Sequence, residues 1–105
     1  MGFACSANLG EEVSVFEPTH GSAPKYAEYK HSIVNPIATI LSGCMMLEHI
    51  GETEAAKRIE KAVAKVVAEG KVRTYDMCLM SGNQEVVNKG AATTQQMADA
   101  IIAAL

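Results

Sequence analysis

Tryptophan is absent from this 105-residue chain, and aromatic residues make up only 5% of it. The core must therefore rest on Ala, Val, Ile, Leu and Met rather than on large rings. A surplus of basic charge is missing as well, with 9 Lys and Arg against 12 Asp and Glu and a net charge of −3. No strongly basic face is available to neutralise phosphates, so no nucleic-acid partner is expected. Cysteines in metal or redox spacing are lacking too. Cys5, Cys44 and Cys78 are odd in number, widely separated and without C-x-x-C spacing. They read as reduced, partly buried thiols. The first residues carry no basic stretch followed by a long apolar run, so no signal peptide is visible. Every apolar run breaks well before the ~18 residues that a membrane span needs. No membrane partner is expected, and the expected location is cytoplasmic.

What is present is globular in character, at 49% hydrophobic and 20% charged residues. The length fits a single unit over 1–105 and leaves no room for two. A chain of this size buries roughly two-thirds of its unfolded surface, which leaves it marginal unless something else covers the rest.

Residues 11–17, with Val13, Val15 and Phe16 among polar neighbours, predict a short strand. Asn35-Pro36 opens a helix, Asn as N-cap and Pro at the first helical position. Ile37, Ile40, Leu41, Cys44 and Met45 follow at helical spacing, Met46, Leu47 and Ile50 widen the apolar surface, and Gly51 is the C-cap. A helix apolar nearly all round should be buried on more than one side. Thr53 is expected to cap a second helix with Ala55, Ala56, Ile59, Ala62, Val63, Val66 and Val67 on one face, ended by Gly70. Its charges, including the Glu54–Arg58 and Lys65–Glu69 pairs, read as a solvated face. Lys71 to Tyr75 predicts a second short strand, and residues 80–92 a polar connection. Thr93 and Gln96 have capping-box spacing before a terminal helix whose apolar face is Met97, Ala98, Ile101, Ile102 and Leu105. Two isolated strands are poorly stable alone. The pattern already suggests a piece of a larger α/β fold.

G-x-G-x-x-G, the Walker loop, H-E-x-x-H and G-x-S-x-G are all absent. His20, His31 and His49 lack metal-ligand spacing, so no metal site is expected in the chain. The chemistry lies in the run Glu17-Pro-Thr-His-Gly-Ser-Ala-Pro-Lys-Tyr-Ala27. Pro18 and Pro24 stiffen the backbone, and Gly21 permits close approach. Such a loop can hold a flat heteroaromatic ligand, with His20 against it and Lys25 and Tyr26 on a phosphate. The residue types alone allow equally a rigid surface turn with exposed His and Tyr.

This run, with Asn35-Pro36-Ile37-Ala38 after it, resembles the β-decarboxylating dehydrogenases, the isocitrate and isopropylmalate dehydrogenase family. The likeness extends from Ser6-Ala7-Asn8-Leu9-Gly10 through Val72-Arg73-Thr74-Tyr75-Asp76 to Asp99-Ala100-Ile101-Ile102. It implies an α/β fold class, the chain being a helix-rich C-terminal, cofactor-binding segment with about three helices and two short strands. It places His20, Gly21, Ser22 and Ala23 along the adenine and its ribose, Asn35 on the adenine ring, and Glu17 and Thr19 towards the ribose and nicotinamide. Lys25 and Tyr26 match the pair of NADP-dependent isocitrate dehydrogenases, and Tyr75 matches a phosphate-contacting tyrosine. Members that use NAD have Asp-Ile in place of Lys25-Tyr26, and the arginine expected a few residues after Tyr75 is absent. The resemblance thus implies NADP in preference to NAD, and isocitrate in preference to isopropylmalate.

Catalytic residues and the ligands of Mg or Mn belong, by the same resemblance, to the part of the enzyme upstream. The chain is expected to be a truncation, silent alone, whose partners are the remainder of the dehydrogenase subunit and further copies in a homo-oligomer. In the complete enzyme, hydride transfer to the nicotinamide would precede metal-assisted decarboxylation. The other readings are a stand-alone nucleotide-binding or subunit-interaction module without catalysis, and a segment of an isopropylmalate dehydrogenase.

Overall fold

A computed structural model describes residues 3–21, Tyr26, Tyr29 and 31–105. The element order is β1 (Cys5–Leu9), β2 (Ser14–Pro18), α1 (Ile37–His49), α2 (Thr53–Glu69) and α3 (Thr94–Ala103), with a 3-10 turn at Gln84–Val86 before α3. Three helices and a two-stranded sheet agree with the α/β fragment expected.

The strands form an antiparallel hairpin in which Ala7 faces Phe16 and Leu9 faces Ser14. Alternation puts Cys5, Ala7, Phe16 and Pro18 on one side of the sheet and Ser6, Asn8, Val15 and Glu17 on the other. The first side lies on α1, where Phe16 packs on His49 with ring centroids 5.5 Å apart. His49 Nε2 also lies 3.4 Å from the Ser14 hydroxyl. Gly10 permits the turn between the strands, since a Cβ there would stand 2.5 Å from the Val13 carbonyl oxygen.

Helix α1 begins one residue later than its sequence predicts, with Pro36 in the cap position and Ile37 the first helical residue. The Asn35 side-chain oxygen accepts a hydrogen bond from the Ile37 amide at 3.0 Å, and Pro36 takes helical angles. Its end is a Schellman turn. Gly51 has φ 91°, its amide donates to Glu48 O, and the Glu52 amide donates to Leu47 O at 2.7 Å. The hairpin covers one flank of α1 and α2 another, which explains an apolar surface wider than one stripe. Helix α2 turns Ala56, Ala62, Val63 and Val66 inward. Ala62, Val63 and Val66 form the main core with Ile37, Met97 and Ile101. Helix α3 carries the capping box in full: Thr93 Oγ1 accepts from the Gln96 amide at 3.1 Å, and Gln96 Oε1 from the Thr93 amide at 2.9 Å.

Several expectations need correction. Residues 71–75 are not a strand: among the described residues the sheet contains only β1 and β2. Arg73 O accepts from the Ala92 amide at 2.8 Å, Thr74 O and Tyr75 O accept from the Cys78 and Met80 amides of the following turn, and Thr74 is fully buried. The second strand is β1, whose Ala, Ser and Asn are poor strand formers held by pairing with β2. The predicted strand at 11–17 is displaced to 14–18, and Val13 lies in the turn, 71% exposed. Thr53 is the first helical residue of α2 rather than its cap, and Glu52 precedes it without a side-chain cap. The connection over 80–92 buries Val86, Ala91 and Ala92. Ile102 and Leu105 are exposed rather than part of the face of α3 that is buried.

Cys44 is buried, Cys5 and Cys78 are half-buried, and none of the three forms a disulfide. Burial, then the carboxylates of Glu60 and Glu48, push the Cys44 thiol up from its ordinary value. Among the described residues no helix is long and apolar enough to cross a membrane.

Candidate functional site

The described site residues fall into two groups. The first continues the hairpin. Glu17 lies on the outer side of β2, and its carbonyl accepts from the Ser6 hydroxyl at 3.4 Å. The Thr19 amide donates to Ala4 O at 3.1 Å and its hydroxyl lies 3.5 Å from the same oxygen, which ties the start of the loop to the residue before β1. His20 and Gly21 are exposed. His20 Nδ1 lies 2.9 Å from the Gly21 carbonyl. A carbonyl only accepts, so Nδ1 is the donor in this contact. Ser22, Ala23 and Lys25 lie outside the described residues.

The second group surrounds Tyr75. The rings of Tyr26 and Tyr75 lie 6.1 Å apart at 54°, and Tyr29 meets Tyr26 edge-on at 5.4 Å. All three pack on a separate small core of Ile33, Val86 and Ala91. Burial, then a hydrogen bond with Tyr26, push the Tyr75 phenol up to about 12. It therefore keeps its proton at neutral pH and remains a hydrogen-bond donor. Tyr26 and Tyr75 are 49 positions apart in sequence, yet the fold brings them together.

A polar network holds this group against the start of α1. The Asp76 carboxylate accepts from the Thr74 hydroxyl with one oxygen and from Asn35 Nδ2, at 3.1 Å, with the other. Asn35 accepts in turn from the Ile37 amide. Asn35 is buried, 3% exposed, and both ends of its side-chain amide are engaged in this network. The turn after Tyr75 closes with the Met80 amide donating to Tyr75 O at 2.9 Å. Leu79 adopts φ 59° in that turn and is 93% exposed.

Tyr29, Thr74, Asp76 and Gly82 were not singled out from the sequence as parts of a site. The i,i+3 spacing of Tyr26 and Tyr29 and the i,i+2 spacing of Thr74 and Asp76 are local signals, whereas the Asn35–Asp76 and Tyr26–Tyr75 contacts join distant segments. Among the described residues no three His, Cys, Asp or Glu side chains converge to hold a metal ion.

The sequence pattern of the isocitrate/isopropylmalate dehydrogenases matches residues 1–101. The isocitrate/homoisocitrate dehydrogenase of Thermus thermophilus is 46% identical over 105 residues, which is all of this chain and 27% of that protein. The 3-isopropylmalate/3-methylmalate dehydrogenase of Methanocaldococcus jannaschii is 54% identical over 70 residues, 67% of this chain and 20% of that one. The crystal structure of isocitrate dehydrogenase from Methylococcus capsulatus superposes with a TM-score of 0.77 at 44% identity, covering 95% of this chain and 26% of its own. The chain spans about a quarter of the length of these relatives.

Proposed function

Because this chain belongs to the isocitrate/isopropylmalate dehydrogenase family, we propose that it is the cofactor-binding part of an isocitrate dehydrogenase, selective for NADP over NAD. The observation that carries the reading is the Tyr26–Tyr75 pair, two phenols brought together, the first of them next to Lys25 in sequence. A protonated Tyr75, a second phenol and a lysine ammonium are the donor set that a ribose 2′-phosphate needs. A free 2′-hydroxyl would leave part of that set unused. His20 and Gly21 would lie along the adenosine half.

In the whole enzyme the bound cofactor would supply a hydride acceptor, and Mg or Mn would supply a Lewis acid for decarboxylation. This chain would bind and orient the cofactor and supply no acid or base. The remainder of the subunit, and further copies of it, would be its partners. Calorimetric titration of the chain with NADP, NAD and 2′,5′-ADP tests the reading. Binding of NADP and 2′,5′-ADP at least tenfold tighter than NAD is expected, with the order reversed by Lys25→Asp together with Tyr26→Ile. Equal affinities, or no binding of any of the three, would overturn it.

The 54% identity to a 3-isopropylmalate/3-methylmalate dehydrogenase supports a second reading, in which the enzyme oxidises 3-isopropylmalate. The two readings separate when the full-length dehydrogenase is assayed with each 2-hydroxy acid in turn.

A further inference from the structure

Gly82 follows the turn that carries Tyr75, and its backbone gives no reason for it to be glycine. Positive φ among the described glycines is found at Gly51, Gly70 and Gly90, not at Gly82. Space gives the reason instead. A Cβ at Gly82 would stand 2.9 Å from Cζ and 3.1 Å from Cε1 of Tyr26 and would run into its hydroxyl oxygen. We propose that Gly82 is a positioning residue, its missing side chain forming the seat in which the Tyr26 ring lies beside Tyr75 and offers its phenol to a ribose phosphate. The ligand in this inference rests on the cofactor reading above, while the seat rests on geometry alone.

The two sides of the contact differ in how readily they yield. Gly82 contributes backbone, whereas the Tyr26 hydroxyl is the far end of a side chain that can rotate to another well. A methyl group at Gly82 therefore displaces the ring, and stability suffers less than the placement of the phenol. Alanine is otherwise well tolerated at such a backbone position, and is even mildly favourable through the unfolded state. Any harm it does must come through Tyr26.

The three tyrosines of the chain, Tyr26, Tyr29 and Tyr75, all belong to this one cluster, and there is no tryptophan. Tyrosinate absorbance after a rapid pH jump, recorded before unfolding, thus reports on the seat and nothing else. In Gly82→Ala the Tyr75 ionisation, pushed up to about 12 in the parent chain, is expected to fall by half a unit or more as Tyr75 loses Tyr26. In a Tyr26→Ala background the same substitution is expected to add no further shift. NADP affinity should drop at least fivefold in Gly82→Ala while NAD affinity changes less than twofold.

An unchanged titration in Gly82→Ala, or the same shift with Tyr26 already removed, would overturn the seat. So would a variant that fails to fold and is not rescued by adding Tyr26→Ala; rescue would support it. A parent chain that binds neither nucleotide overturns the cofactor reading, and the titration by itself still decides the seat.

Discussion

Asp76 links two segments that have no local reason to meet. Its carboxylate takes one hydrogen bond from Thr74, which is fully buried, and one from Asn35, which is 3% exposed. Removing the carboxylate leaves a hydroxyl and an amide with lost partners in places water reaches poorly. Each such group costs about 1–3 kcal/mol. Asp76→Ala is therefore expected to lower stability by roughly 2–4 kcal/mol, and Asp76→Asn, which keeps one acceptor, by about half of that. Urea melts of the two variants check this, and equal losses would rule the network out as the cause. The Asn35 end of the network was legible in the sequence, because an N-cap acts within three residues of itself. The Asp76 end was not, since the Asn35–Asp76 bond spans 41 positions. The same division runs through the site: His20 and Gly21 belong to a readable loop, while the seat under Tyr26 depends on Gly82, 56 residues away.

Helices were the readable elements because their start and stop signals are local. Asn35-Pro36, Gly51, Gly70 and the Thr93–Gln96 box each act within one turn of the residue they cap. Strands depend on a partner, and there the reading failed in both directions. Val72 and Thr74 alternate like a strand but find no neighbour, whereas Ser6, Ala7 and Asn8 become one because β2 lies beside them. The α1–α2 seam carries a contact that helical periodicity within either element does not reveal. Glu60 on α2 shares a hydrogen bond with Glu48 on α1. Burial first, then that bond and the Glu48 charge, raise its carboxyl from the ordinary value, with Lys57 opposing. The folded state thus favours protonated Glu60. Its stabilising effect is full below the ordinary glutamate range and is lost as pH rises through the raised value. At pH 7 the two carboxylates repel across the seam. Glu60→Gln, which imitates the protonated form, is expected to stabilise the chain by about 0.5 kcal/mol at pH 7, the scale of other exposed charge pairs. Below pH 4 the gain should vanish, because Glu60 itself is then protonated in the fold. Thermal melts at the two pH values test this, and an equal gain at both would exclude the charge explanation.

For the whole molecule, surface is the decisive quantity. A folded monomer of 11.1 kDa exposes about 5,700 Å² by general scaling. This chain exposes 6813 Å², and its radius of gyration of 14.5 Å exceeds the roughly 13 Å of a compact domain its size. It therefore buries roughly three-fifths of its unfolded surface, the share of a ~60-residue domain, against the two-thirds its length predicts. The buried side chains are divided as well, one cluster on α1, α2 and α3 and another under the tyrosines. Exposed Leu9, Val13 and Ile50 add apolar surface near the hairpin tip and the end of α1, which the Ser14–His49 contact draws together. Denaturant sensitivity follows the surface exposed on unfolding, so the urea m-value of the isolated chain should lie near ~1 kcal/mol/M, at the low end for small proteins. Amide exchange should divide along the two clusters. Ile37, Val63 and Met97 should be protected together, and Val86 and Ala91 should open at a lower free energy, since among the described residues their cluster has three buried members against six in the other. An m-value above ~2 kcal/mol/M, with uniform protection across both clusters, would mean a single cooperative core and would contradict the surface argument.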